Sequence, residues 1–243
     1  MSATLRVPSR SARRALGVAG VLVVATLAIG LLHTPLGRPL LGHLAWLAGC
    51  PAARVTAAEV DRLRQTGLAS VRGTGRAPAR PALGFALDRT VSGDVEAWAV
   101  RAGVSCTTRT RGLVSLHCTD VPRGALPGAA DGGGAGHAGP ETIEDLAFTF
   151  GPSGQLVSVD AFSRGVPVQA AAEALASTTS RLGALLGGSS SVQPEGGVTL
   201  AEVERTPMLT ARRRFRFADY VAIVSVSHLA SGIAVREQYL SGG

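Results

Sequence analysis

The chain has 243 residues and a formal net charge of +7, and a pI near 10.8 raises the question of a nucleic-acid partner. Residues 1–58 hold six arginines and no acid, whereas the remainder sets eighteen arginines against seventeen acids, a net of +1. The basic excess is therefore confined to the N-terminus, and no nucleic-acid-binding surface is expected beyond it. Lysine and asparagine are both missing; their codons are AT-rich, so the composition points to a GC-rich bacterial genome.

In chain order, residues 1–14 form a basic tail with Arg6, Arg10, Arg13 and Arg14, and Ala15–Leu32 follows as eighteen residues without a charge. As a helix this run spans about 27 Å, close to the roughly 30 Å of a bilayer's hydrocarbon core. The arginines precede it and no acid appears before Glu59. The positive-inside bias then predicts a single transmembrane helix over 15–32, with the N-terminus in the cytoplasm and the C-terminal domain outside. This places the chain in the bacterial inner membrane as an uncleaved signal-anchor. A signal peptidase site is not evident in His33–Arg38. Within the juxtamembrane segment 33–55, Leu47-Ala48-Gly49-Cys50 resembles the lipobox of bacterial lipoproteins, which makes Cys50 a candidate for lipidation. It lies eighteen residues past the hydrophobic run, however, and a short amphipathic stretch with Trp46 at headgroup level is the plainer reading.

Residues 56–243 are long enough for one sizeable domain. Thr56-Ala57-Ala58-Glu59 has the form of a capping box and starts a helix that runs toward Gly73; Gly73–Pro81 reads as a linker. Ser92 is the expected cap of a second helix, Gly93–Ala102, stopped by Gly103. Strand signals over Val104–Arg109 and Leu113–Cys118 flank Gly112, and a turn centred there sets Cys106 opposite Cys118. A Cys106–Cys118 disulfide is predicted on that register, in the oxidising compartment that the topology implies. Residues 121–140, rich in Gly, Ala and Pro, read as a flexible linker. Leu146–Phe150 and Leu156–Phe162 form a hairpin around Gly151–Gly154. Pro167 opens a helix to Leu186 with Val168, Ala171, Leu175, Leu182 and Leu186 on one stripe. A second Gly-rich linker covers 187–197, followed by a short segment near Leu200–Arg205 and strands over Arg212–Phe217, Tyr220–His228 and Ile233–Leu240. Strand runs joined by short turns predict an α+β fold, a two-layer domain of antiparallel strands with helices on one face. A helix precedes a strand meander twice, which suggests an internal duplication.

The chemistry-bearing motifs are few. Gly134–Gly139 matches G-x-G-x-x-G, but a Gly-rich loop precedes it and Pro140 follows, so the strand–turn–helix context of a dinucleotide site is missing. The five histidines show no metal-ligand spacing, and no G-x-S-x-G elbow is present, Ser153 standing in a hairpin turn. Neither a catalytic residue, a cofactor nor a metal is expected. Arg212-Arg213-Arg214-Phe215-Arg216-Phe217 is the most unusual exported segment. As a strand it turns Phe215 and Phe217 inward and Arg212, Arg214 and Arg216 outward, either as a solvated face or as a contact for an anionic lipid, polysaccharide or envelope protein. The sequence alone thus supports a non-enzymatic, single-span envelope protein with a periplasmic binding or assembly domain, the alternatives being a ligand-binding or sensory domain, a lipoprotein acylated at Cys50, or an enzyme.

Overall fold

The computed structural model describes residues 56–127, 140–187, 192–195 and 198–242, together with Gly30. The expected membrane span, Cys50 and the Gly134–Gly139 motif lie outside the described residues. Among the described residues, no helix is long and apolar enough to cross a membrane.

The domain is α+β with an antiparallel sheet. Helix α1 (Ala57–Ala69) starts where the capping box places it, with Thr56 Oγ1 accepting from the Glu59 N–H at 3.3 Å. Two short strands, β1 (Pro81–Ala82) and β2 (Phe85–Ala86), make a tight hairpin at the end of the expected linker, in a stretch to which the sequence assigned no element. Gly84 is required there, because its φ is +86° and a Cβ would sit 2.1 Å from the Pro127 carbonyl oxygen. Helix α2 (Ser92–Ala102) begins one residue earlier than the sequence suggests; the Asp94 carboxylate, rather than Ser92, satisfies the orphan N–H of Val91 at 3.0 Å. Gly103 closes the helix in the left-handed conformation.

Strands β3 (Cys106–Arg111), β4 (Leu113–Pro122), β5 (Thr142–Phe150) and β6 (Leu156–Ser163) form the first meander. Helix α3 (Val168–Leu186) leads to β7 (Val192–Glu195), helix α4 (Leu200–Arg205), β8 (Thr210–Arg216), β9 (Tyr220–Leu229) and β10 (Gly232–Ser241). All eight join one sheet in the order β3-β4-β5-β6-β10-β9-β8-β7. Each half thus has a helix followed by four strands, with α4 inserted between β7 and β8 in the second, and the halves meet where β6 pairs antiparallel with β10. The repeat suggested by the sequence holds at the level of topology.

Three boundaries differ from the sequence reading. The linker expected over 121–140 does not begin at Val121. β4 runs through it, and a 3-10 turn (Arg123–Ala125) follows, because Val121, Arg123 and Leu126 are all buried. The linker expected over 187–197 contains the edge strand β7. α4 is a real helix, and Thr199 and Glu202 close a reciprocal capping box on it.

The core lies on one sheet face. In the first half Phe85, Trp98 and Phe148 meet edge-to-face with ring centroids 4.8–5.9 Å apart, and the Trp98 indole N–H donates to the Ala125 carbonyl at 2.8 Å. In the second half the stripe Ala171, Leu175, Leu182 and Leu186 of α3 is buried, and that helix packs on β8, β9 and β10. The end of α1 is the exception to a one-sided arrangement. Arg216 points to the face opposite the core, and its guanidinium donates to the carbonyls of Val71 and Arg72 at 2.6 and 3.2 Å. Val221, paired with Arg216 and on the same face, is fully buried yet stands apart from the main core cluster.

Inside the core a charged network replaces apolar packing. The buried Glu237 of β10 pairs with Arg123 at 2.8 Å and with Arg181 of α3 at 3.7 Å, and it accepts from the Tyr239 hydroxyl at 2.6 Å. Arg123 also donates through Nε to the Pro140 carbonyl at 3.0 Å and through its backbone N–H to Glu141 at 2.8 Å, so it ties both ends of the segment between β4 and β5. Burial pushes the Glu237 carboxyl upward, but Arg123, the Tyr239 hydroxyl and Arg181 outweigh it and hold the pKa below the usual carboxylate range.

The disulfide joins Cys106 to Cys118 across the first hairpin, as the register around Gly112 requires. Replacing both cysteines by alanine removes a short-loop crosslink worth about 3 kcal/mol in the chain-entropy model. At about 2–4 °C per kcal/mol for a domain of this size, the thermal midpoint of the full chain should fall by about 6–12 °C in calorimetry.

Glu237→Gln leaves the buried Arg123 guanidinium, and the half-buried Arg181 beside it, without a counter-charge, at a cost of about 3–5 kcal/mol, to be read from urea unfolding at pH 7. A depressed carboxylate pKa contributes stability above its unfolded value of about 4.3 and loses it as pH falls through the folded value. Stability of the wild type should therefore drop on acidification below about pH 4, with a shallower slope in Glu237→Gln.

Candidate functional site

The face of the sheet opposite the core carries the residues available for binding. Strand alternation sends successive side chains to opposite faces, and directly paired residues share a face. The register therefore lines up His117, Ala147, Asp160, Gln238, Ile223 and Arg214 in one row across the sheet. The adjacent row is Thr119, Asp145, Phe162, Arg236, Ser225 and Arg212. At the small side chain of Ala147 the face dips into an open depression of about 400 Å³, lined by Arg109, His117, Asp145, Ala147, Asp160, Phe162 and Arg236. Five strands contribute to it.

Its floor is held rigidly. Asp160 accepts from Arg236 through Nε at 2.9 Å and Nη2 at 2.5 Å, a bidentate pair, and from Gln238 Nε2 at 3.1 Å. The Arg236 guanidinium is raised further above its ordinary pKa, chiefly by this hydrogen bonding. Arg164 stands 5.9 Å from the centroid of the Phe162 ring while binding Glu144, whose carboxyl is held down by that bond. On the other side His117 is half-buried. Burial lowers its pKa most, the Arg109 guanidinium lowers it further, and Asp145 acts in the opposite sense. The imidazole is thus neutral near pH 7 and can both donate and accept a hydrogen bond.

The residues singled out from the sequence fall elsewhere on the domain or outside it. Phe215 and Phe217 are buried, and Arg212, Arg214 and Arg216 alternate with them, as the strand reading requires. Arg216 is engaged by the backbone that follows α1, and Glu195 stands opposite Arg212 in the β7–β8 register. The candidate face is therefore broader than the arginine row, and its depression lies in the other half of the sheet. The sequence drew attention to His117 only as one of five histidines without metal-ligand spacing, and not to Asp145 at all. Their proximity depends on the pairing of β4 with β5, which are separated by some twenty residues and share no short turn, so no local signal set that register.

Among the described residues no group of three or more His, Cys, Asp or Glu is arranged to hold a metal ion. The depression offers fixed hydrogen-bonding groups, one apolar ring and a neutral imidazole, an arrangement suited to recognition. Comparison with protein-family models, curated proteins and solved structures returns no match for this chain.

The His117 environment makes a direct prediction. In an NMR titration its imidazole should titrate below the ordinary histidine value of about 6.5. Arg109→Ala should raise that midpoint by removing a like charge, and Asp145→Asn should lower it by removing an opposite one.

Proposed function

We propose that this chain is a single-span bacterial envelope protein whose α+β domain acts outside the cytoplasm as a non-enzymatic binding module, working through the sheet face opposite the core. The observation that carries this reading is the depression around Ala147, to which five adjacent strands bring polar groups. Two features support the location. Ala15–Leu32 has the length, apolarity and preceding arginines of a membrane anchor, and the Cys106–Cys118 disulfide suits an oxidising compartment.

A rigid, preformed surface favours association because little ordering entropy is lost on binding. Here Asp160 is fixed by Arg236 and Gln238 before any ligand arrives. The remaining side chains offer both signs of charge: Arg109 and Asp145 are exposed at opposite sides of His117. A protein partner with mixed charge suits this face best. A second reading, a small polar ligand, is favoured by the cavity's size, which falls within the range of about 300–1,000 Å³ typical of small-molecule sites.

Ala147→Arg fills the depression without touching the core face. If the reading holds, the species that co-purifies with the full chain from detergent-solubilised membranes should be lost in Ala147→Arg, while thermal stability and the disulfide are retained. A polypeptide of stable identity supports the protein-partner reading, and a dialysable molecule supports the ligand reading. Co-purification unchanged by Ala147→Arg would sink both. Location is tested separately, by reporter fusions after Gly243 and mass spectrometry of the mature N-terminus; an acylated chain beginning at Cys50 would replace the anchor by a lipoprotein.

A further inference from the structure

The two edges of the sheet are built differently. β7 is four residues long and contains Pro194, which has no N–H to offer, so that edge is blunted. β3 is six residues long, lacks proline and is rich in threonine. Thr107, Thr108, Arg109 and Thr110 are all exposed, which means that β3 is uncovered on both faces. A strand with so little buried surface is held by its ladder to β4 and by the Cys106–Cys118 bridge.

The ladder fixes which backbone groups face outward. The Thr119 N–H donates to the Ser105 carbonyl, so 105 and 119 form a hydrogen-bonded pair, and such pairs alternate along antiparallel strands. Thr107, Arg109 and Arg111 therefore exchange bonds with β4. The N–H and C=O of Cys106, Thr108 and Thr110 point away from it, toward an edge that no described strand occupies.

We propose that this edge is the self-association surface of the protein, where two copies pair antiparallel through β3 with Thr108 on the two-fold axis. The occupant is a second copy because the sequence Cys106–Arg111 is self-complementary in that register. Centring on Thr108 pairs Cys106 with Thr110 of the partner subunit and uses all three outward-facing residues, giving about six backbone hydrogen bonds by the antiparallel pattern. It sets threonine against threonine at the centre, a favourable cross-strand pair. Arg109 then falls opposite Thr107 of the partner subunit. Shifting the axis to residue 109 would set Arg109 against itself on one face and lose a pair of bonding residues, so the charges that protect the edge from other pairings also select this register. The interface is isologous and closes as a dimer. It does not depend on what binds at Ala147.

The test uses the full chain in its own membrane. A photoreactive benzophenone residue is introduced in place of Thr108, and adducts formed on irradiation are mapped by mass spectrometry. The expected product has twice the mass of the chain, with residue 108 joined to the 105–111 peptide of a second copy. Thr110→Pro, in which the removed N–H faces the free edge and not β4, should abolish that product while the Cys106–Cys118 bridge still forms. An adduct to another protein or to another segment of this chain, the absence of a doubled species, or a doubled species that survives Thr110→Pro would each overturn the proposal. Should Thr110→Pro fail to form the bridge, the mapped position of the wild-type adduct decides alone.

Discussion

One ionised carboxylate has to be neutralised inside the core, and much of the domain is positioned by that requirement. Glu237 sits on β10, the strand through which the second half of the sheet joins the first. Its partners come from three places: Arg123 after β4, Arg181 on α3 and Tyr239 on β10 itself. An unpaired charge at this depth is far more costly than the pair is favourable, since desolvation penalises each ion by several kcal/mol. The elements carrying the partners are consequently not free to shift. The β4–β5 connection of the first meander, the helix of the second and the central strand are locked to one another by electrostatics rather than by shape. An apolar triad of similar volume would hold them as tightly. What the ionic version adds is direction, because Arg123 also reaches Pro140 and so fixes where the chain re-enters at β5.

That network marks the limit of what the sequence makes legible. Local signals were sufficient where the physics is local. The capping box at Thr56, the stop at Gly103, the stripe on α3, the hairpins at Gly112 and Gly151–Gly154 and the Cys106–Cys118 register all depend on residues a few positions apart. Non-local facts were not readable. Nothing in Glu237 distinguishes it from a solvated strand residue until Arg123 and Arg181 are brought to it over 114 and 56 positions of chain. The same holds for the depression, whose residues come from five strands. β7 was missed because its few residues lie in a Gly-rich stretch, and α4 was underweighted although Thr199 and Glu202 carry the same capping signature that identified α1.

The two halves also show how one topology can host two different surfaces. About the β6–β10 junction, the outer row is positionally symmetric: Asp160 corresponds to Gln238, Ala147 to Ile223 and His117 to Arg214. Because the relation preserves chain direction, Phe162 then corresponds to Leu240, Asp145 to Val221 and Thr119 to Arg216. The backbone frame is therefore shared and the side chains are not. Where the first half has alanine, the second has isoleucine, a difference of three carbon atoms at the position that becomes the floor of the depression. Where the first half has the imidazole of His117, its pKa lowered chiefly by burial, the second has the planar guanidinium of Arg214. Fold alone would make the halves equivalent, and it is these few differences that give the first half the depression around Ala147. The backbone after α1 that accepts from Arg216 strengthens the same asymmetry, because it occupies part of the second half's outer face, whereas the depression around Ala147 is open.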